Sequence, residues 1–180
     1  MKSILISIHP EWVAKIANGI KSIEIRRSAP KDWMDYLSGK TKVEPKPRTA
    51  FIYCTKGEPL TRLGTLWNGD RKTDVFSLSY PPNATYNGKV VAKFRLDEIY
   101  KYQIEDEHTW KDPSFEETTQ KLMGMGLEEL HNYVGNKTFY GWHISDLVIF
   151  DEPKPLADFK GGKIFGDKPP QSWKYVEVEE

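Results

Sequence analysis

Gly19-Ile20-Lys21-Ser22-Ile23-Glu24-Ile25-Arg26 reads as a helix stop that runs directly into a strand. Upstream, Pro10 suits the first turn of a helix. Trp12, Val13, Ile16 and Ile20 recur at helical spacing, and Gly19 is placed to end the run. Downstream, Ile23 and Ile25 alternate with Ser22, Glu24 and Arg26, which predicts a strand that buries the isoleucines and shows Glu24 and Arg26 on its other face. With Lys21 at the strand entrance, two opposite charges one side-chain step apart make a site that both donates and accepts hydrogen bonds. An ordinary surface ion pair on an edge strand has the same pattern, and such a pair contributes only about 0–1 kcal/mol.

Further strands follow from the same periodicity. Ala50, Ile52 and Cys54 alternate with Phe51, Tyr53 and Thr55 until Lys56-Gly57 ends the run. Asn87-Gly88 is a turn signal that launches Val90, Ala92, Phe94 and Leu96, alternating with Lys89, Val91, Lys93 and Arg95. Ser114 with Glu117 forms a capping pattern that predicts a helix over 115–123. Gly124 and Gly126 separate it from a short helix at 127–134, with Leu127, Leu130 and Val134 on one face and Gly135 as its stop. Residues 139–150 read as one long bent strand, in which Gly141 allows a bulge or a close backbone approach.

The pattern predicts an α+β domain built round one curved or closed sheet. Strands at Ile4, Ile23, Ala50, Val90 and Ile144 are expected to join in it, with the Pro10 helix closing an end. Residues 1–180 read as a single domain with an insertion at 58–86, and 40–48 and 160–170 read as exposed loops.

At 180 residues the chain can bury a sizeable core, and its single cysteine, Cys54, excludes an internal disulfide framework. The apolar run Ile4 to Ile8 has a strand's length and meets Pro10 at once, so no signal peptide is read there. No stretch approaches the ~20 apolar residues of a membrane helix. The expected location is therefore cytoplasmic, with no membrane partner, and the Asn-x-Thr matches at Asn83 and Asn136 carry no consequence.

The net charge of zero argues against coating nucleic acid through bulk electrostatics. Residues 1–75 nevertheless hold 14 Lys and Arg against 8 Asp and Glu, while the remainder holds 12 against 18. Lys15, Lys21, Arg26, Arg27 and Lys31 can thus draw a phosphate-bearing ligand to a local face. Six tryptophans and nine tyrosines supply flat walls of the kind that stack on nucleobases, although most such residues serve the core.

The stretch from Ile4 to Lys31 resembles the opening of the ASCH domain family, small barrels of the PUA-like superfold whose hallmark is Gly-x-Lys-x-x-Glu-x-Arg. Gly19, Lys21, Glu24 and Arg26 match every specified position. The resemblance continues in pieces through Phe51 to Lys56, Lys89 to Leu96 and Tyr140 to Pro155. It implies a cleft near the Gly-x-Lys motif that binds RNA or a nucleotide-like ligand through Lys21, Glu24 and Arg26, with Trp142 or His143 on its wall.

Catalysis is the alternative. His9, His108, His131 and His143 are isolated in sequence, with no zinc-ligand spacing, and no phosphate loop or nucleophile elbow is present, so no metal or cofactor is expected. Some ASCH-like proteins are amidohydrolases of acetylated cytidine that use the lysine, a threonine three residues later and a distant glutamate. Glu24 stands where that nucleophilic hydroxyl would be, and a carboxylate cannot replace it without changing the intermediate. Other ASCH proteins have been proposed to cut RNA, for which Lys21 and Glu24 would serve as general acid and base and Arg26 as a charge stabiliser. Binding needs fewer assumptions than either reaction, and a protein-interaction domain with a structural polar strand is the third reading.

Overall fold

The computed structural model describes residues 2–57, 60–68, 71–78, 86–104, 113–159 and 168–178, with backbone alone for 61–68, 71–78 and 113–114. Asn83, His108 and residues 160–167 of the expected loop lie outside the described residues, as do parts of 58–86. The chain divides into two compact units, one of Met1–Gly19, Arg48–Arg95 and Asp146–Glu180, the other of Ile20–Pro47 and Leu96–Ser145.

The first unit is organised by β1 (Ser3–Ile8), β3 (Arg48–Cys54), β6 (Lys89–Leu96), β9 (Ser145–Lys154) and β10 (Trp173–Val176), in the sheet order β10-β1-β3-β6-β9. β1 runs parallel to β3 and antiparallel to β10. Ile4, Leu5 and Ile6 are all fully buried, so β1 reads as a continuous apolar run, the signature of a strand covered on both faces. One core cluster gathers Leu5, Phe51, Tyr53, Val90, Phe159 and Val176, with Phe150, Leu156 and Val178 packed against it.

Helix α1 (Pro10–Ala17) starts on its proline and buries Val13 and Ile16. It stops before Gly19, whose φ of +73° suits a residue without a Cβ. Because the helix ends at Ala17, Ile20 leaves the apolar stripe and is 54% exposed, against the helical spacing expected of it. The turn before β6 is held by Asn87, whose Oδ1 accepts from the Leu60 amide and whose Nδ2 donates to the Thr55 carbonyl. The described part of 58–86 includes an antiparallel hairpin, β4 (Leu60–Asn68) with β5 (Arg71–Leu78), carrying a register shift between Arg62 and Gly64.

The second unit holds a separate sheet of order β2-β8-β7, made of β2 (Ile23–Arg26), β8 (Phe139–His143) and β7 (Ile99–Tyr102). Both outer strands run antiparallel to β8. Helix α2 (Lys31–Leu37) buries Trp33. Helix α3 (Pro113–Thr118) continues as a π-helical turn at Thr119–Met123 and stops on Gly124, at φ +67°. Ser114 lies inside α3 rather than capping it. Helix α4 (Leu127–Val134) buries Leu130 and Val134 and ends at Gly135.

The architecture is α+β as expected, with one correction: the strands are divided among separate sheets, and the described residues do not close a barrel. The expected long strand over 139–150 is likewise two strands, β8 and β9, in different sheets. The break falls at Ile144, whose amide donates to the Ser22 carbonyl, and Asp146 follows with a φ of +48°. That left-handed residue interrupts the two-residue pleat that one continuous strand would need.

Candidate functional site: a buried Lys-Glu-Arg cluster

Strand β2 delivers Glu24 and Arg26 into one cluster, which Lys21 joins from just before the strand. Glu24 Oε1 lies 3.0 Å from an Arg26 terminal nitrogen, and Glu24 Oε2 lies 3.5 Å from Lys21 Nζ. Lys21 Nζ also donates to the Met123 carbonyl at 2.8 Å. The side chains of Lys21, Glu24 and Arg26 are 0%, 8% and 8% exposed. Charges displayed on an outer strand face are thus corrected to charges almost withdrawn from water, because all four residues of β2 are buried.

The second partner of Lys21 follows from the π-helical turn. A helix end leaves carbonyls without intrahelical partners. Here the Leu122 carbonyl accepts from the Ser22 amide at 2.9 Å, and the next carbonyl, of Met123, takes the Lys21 ammonium. Both bonds fasten the entrance of β2 to the turn that Gly124 ends. A Cβ on Gly124 would stand 3.1 Å from Lys21 Cβ, so the glycine serves close approach as well as its left-handed φ.

Cross-strand register sorts the aromatic candidates. Glu24 pairs with Trp142 and Arg26 with Tyr140, which sets those side chains on the cluster's face of the sheet. Trp142 is fully buried there. Ile23 pairs with His143 and Ile25 with Gly141, on the reverse face. Lys21, Glu24 and Arg26 are therefore brought together with Trp142 on their face, while His143 looks the other way. A Cβ on Gly141 would lie 2.7 Å from Ile23 Cγ2 and 2.9 Å from Tyr102 Cε2, the close approach for which a glycine is needed.

His143 has its own partner. Its Nδ1 is 2.8 Å from Asp97 Oδ1, while Ser145 Oγ donates to Asp97 Oδ2 at 2.8 Å. Burial pushes the Asp97 carboxyl upward, but the His143 and Ser145 hydrogen bonds outweigh it and hold the group below its ordinary range. Sequence reading missed Asp97 and the Met123 carbonyl. The first left a trace, the polar pair Asp97-Glu98 between two apolar alternations; a backbone acceptor leaves none.

Among the described residues, no group of three or more His, Cys, Asp or Glu side chains could hold a metal ion, and no helix is long and apolar enough to cross a membrane. No protein-family model matches the sequence, and no curated protein matches it significantly. Solved structures do match. An ASCH protein from Zymomonas mobilis superimposes with a TM-score of 0.56 at 16% identity, over 98% of this chain and 88% of that one. A serine-to-alanine mutant of the same protein gives 0.54 at 16% identity, over 98% and 89%. At that identity the likeness is one of fold, and the fold is that of an ASCH protein.

Proposed function

We propose that this chain is an ASCH domain, working as one domain over 1–180, that binds RNA or a modified nucleotide at Lys21, Glu24 and Arg26 beside Trp142. The observation that carries this reading is the joining of the three charged heads into one cluster on the Trp142 face of the sheet. Withdrawal of ion pairs from water is costly, and exposing such charges only to a ligand is one use that offsets it. Glu24 and Arg26 keep a small exposed fraction, whereas Lys21 keeps none. In this reading Glu24 accepts from an exocyclic amine, Arg26 holds a phosphate or carbonyl oxygen, and Lys21 fixes Glu24 in place. The excess of basic residues in 1–75 supplies attraction for a phosphate-bearing ligand. The reading places the protein in the cytoplasm.

Titration calorimetry with nucleotides and short single-stranded RNA at low salt tests it. Glu24→Gln should weaken binding by about 1–3 kcal/mol, and affinity should fall on a shallow slope as salt rises. Absence of binding to every nucleotide and RNA tried, with the fold intact, would overturn the reading.

A further inference from the structure

The reverse face of the β2-β8-β7 sheet carries a constellation that the binding cluster does not use. Asp97 Oδ1 sits 2.8 Å from His143 Nδ1. A carboxylate accepts only, so the imidazole carries its proton on Nδ1, and the Nε2 lone pair is left to accept another. Asp97 spends its second oxygen on Ser145 Oγ, which holds the carboxylate in the orientation that grips the ring. Among the described residues His143 Nε2 has no hydrogen-bond partner, and the side chain is 35% exposed.

The surroundings narrow what can meet that nitrogen. The His143 amide donates to the Glu98 carbonyl, and Ile23 pairs with His143 across β2. By strand alternation Glu98, Tyr100 and Tyr102 share the face of His143 and Gly141. Tyr100 donates its hydroxyl to Glu98 Oε2 at 2.7 Å, and the Tyr100 and Tyr102 rings lie 6.5 Å apart. One carboxylate holds the imidazole, and a second shares its face of the sheet with two aromatic rings, a setting that disfavours a polyanion such as RNA and suits an uncharged molecule with an apolar part.

We propose that Asp97 and His143 form a proton-transfer dyad for the hydrolysis of an uncharged carboxylic ester, with His143 as general base and Asp97 as its positioning residue. A water oxygen attacks the acyl carbon while its proton passes to Nε2. The new carbon–oxygen bond forms, the bond to the leaving oxygen breaks, and the departing alkoxide takes the proton back from Nε2. No oxidant or reductant is needed, and the imidazolium formed in between is stabilised by Asp97. This site lies on the opposite face from the proposed nucleotide cluster and stands independently of it.

The test follows hydrolysis of p-nitrophenyl acetate by the full chain, with nitrogen-15 NMR of the histidine rings. Expected are an Nδ1–H tautomer for His143 and a rate that His143→Asn lowers by about 100-fold. Asp97→Asn should lower the rate and move the proton to Nε2, because an amide nitrogen can donate to Nδ1. His131→Asn, outside this cluster, should keep both tautomer and rate. An Nε2–H tautomer in the unaltered protein overturns the proposal. So does a rate indifferent to His143→Asn in a folded variant, which would leave Asp97 as a structural pin between its two partners.

Discussion

At the scale of single residues, burial decides what each charge is worth. An exposed lysine–glutamate pair would contribute little, but Glu24 joins two cations that are almost out of water. Glu24→Ala should therefore destabilise the fold by about 3–5 kcal/mol, since it leaves buried positive charge uncompensated. Urea denaturation checks this, and Glu24→Gln, which keeps a hydrogen-bonding head, should cost less. Backbone space gives a second contrast. Gly141→Ala should cost about 1–3 kcal/mol because the new methyl meets Ile23 and Tyr102 at 2.7 and 2.9 Å. Gly126→Ala has nothing within 4 Å of the added carbon, so its cost is confined to a poorer N-cap residue before α4, about 0.5 kcal/mol. Equal losses at the two glycines would contradict the packing described for β8.

At the scale of elements, local signals were legible where one residue type settles the backbone. Pro10 and Gly19 bracket α1, Gly126 and Gly135 bracket α4, and Asn87-Gly88 starts β6, all as the sequence predicts. The Gly-x-Lys-x-x-Glu-x-Arg stretch likewise pointed to the cluster residues. What the sequence could not show was partnership. Nothing in Ile23–Arg26 says that β2 joins β8 rather than β1, and nothing in Phe139–Phe150 marks Ile144 as the place where the strand changes sheets. Helix α2 was overlooked although Pro30 precedes it and Gly39 follows it, because its seven residues are too few to show a period. Strand β7 makes its own prediction. Burial first, and then the hydrogen bond and charge of Glu98, push the Tyr100 phenol up to about 12 from its ordinary 10.0. A raised acid pKa means that the folded state favours the neutral phenol. The stability it contributes is complete below pH 10 and is lost as pH climbs toward about 12. Absorbance titration of the phenolates should show Tyr53, Tyr100 and Tyr102 ionising late, and Glu98→Gln should bring the Tyr100 step part of the way down. A tyrosine complement titrating at ordinary values would refute that placement of β7.

At the scale of the whole chain, the path between units argues for folding as one body. Neither unit is a continuous stretch: one is assembled from three segments and the other from two, so the backbone passes between them four times. A segment such as Ile20–Pro47 cannot complete its sheet until Leu96–Ser145 has been placed, and β1 cannot find β3 until that segment has been accommodated between them in sequence. Two autonomous domains are ordinarily joined by few crossings through exposed linkers. A single cooperative transition is therefore expected, and Cys54 and Trp142 report on it from different units. Cys54 is fully buried, and burial pushes its thiol up to about 12, so near neutral pH it should react with alkylating reagents only through unfolding. Amide exchange at Trp142 reports on the three-stranded sheet. In increasing urea, alkylation of Cys54 and loss of protection at Trp142 should share one midpoint. Midpoints that separate would show two independently folding bodies and would refute the reading of residues 1–180 as one domain.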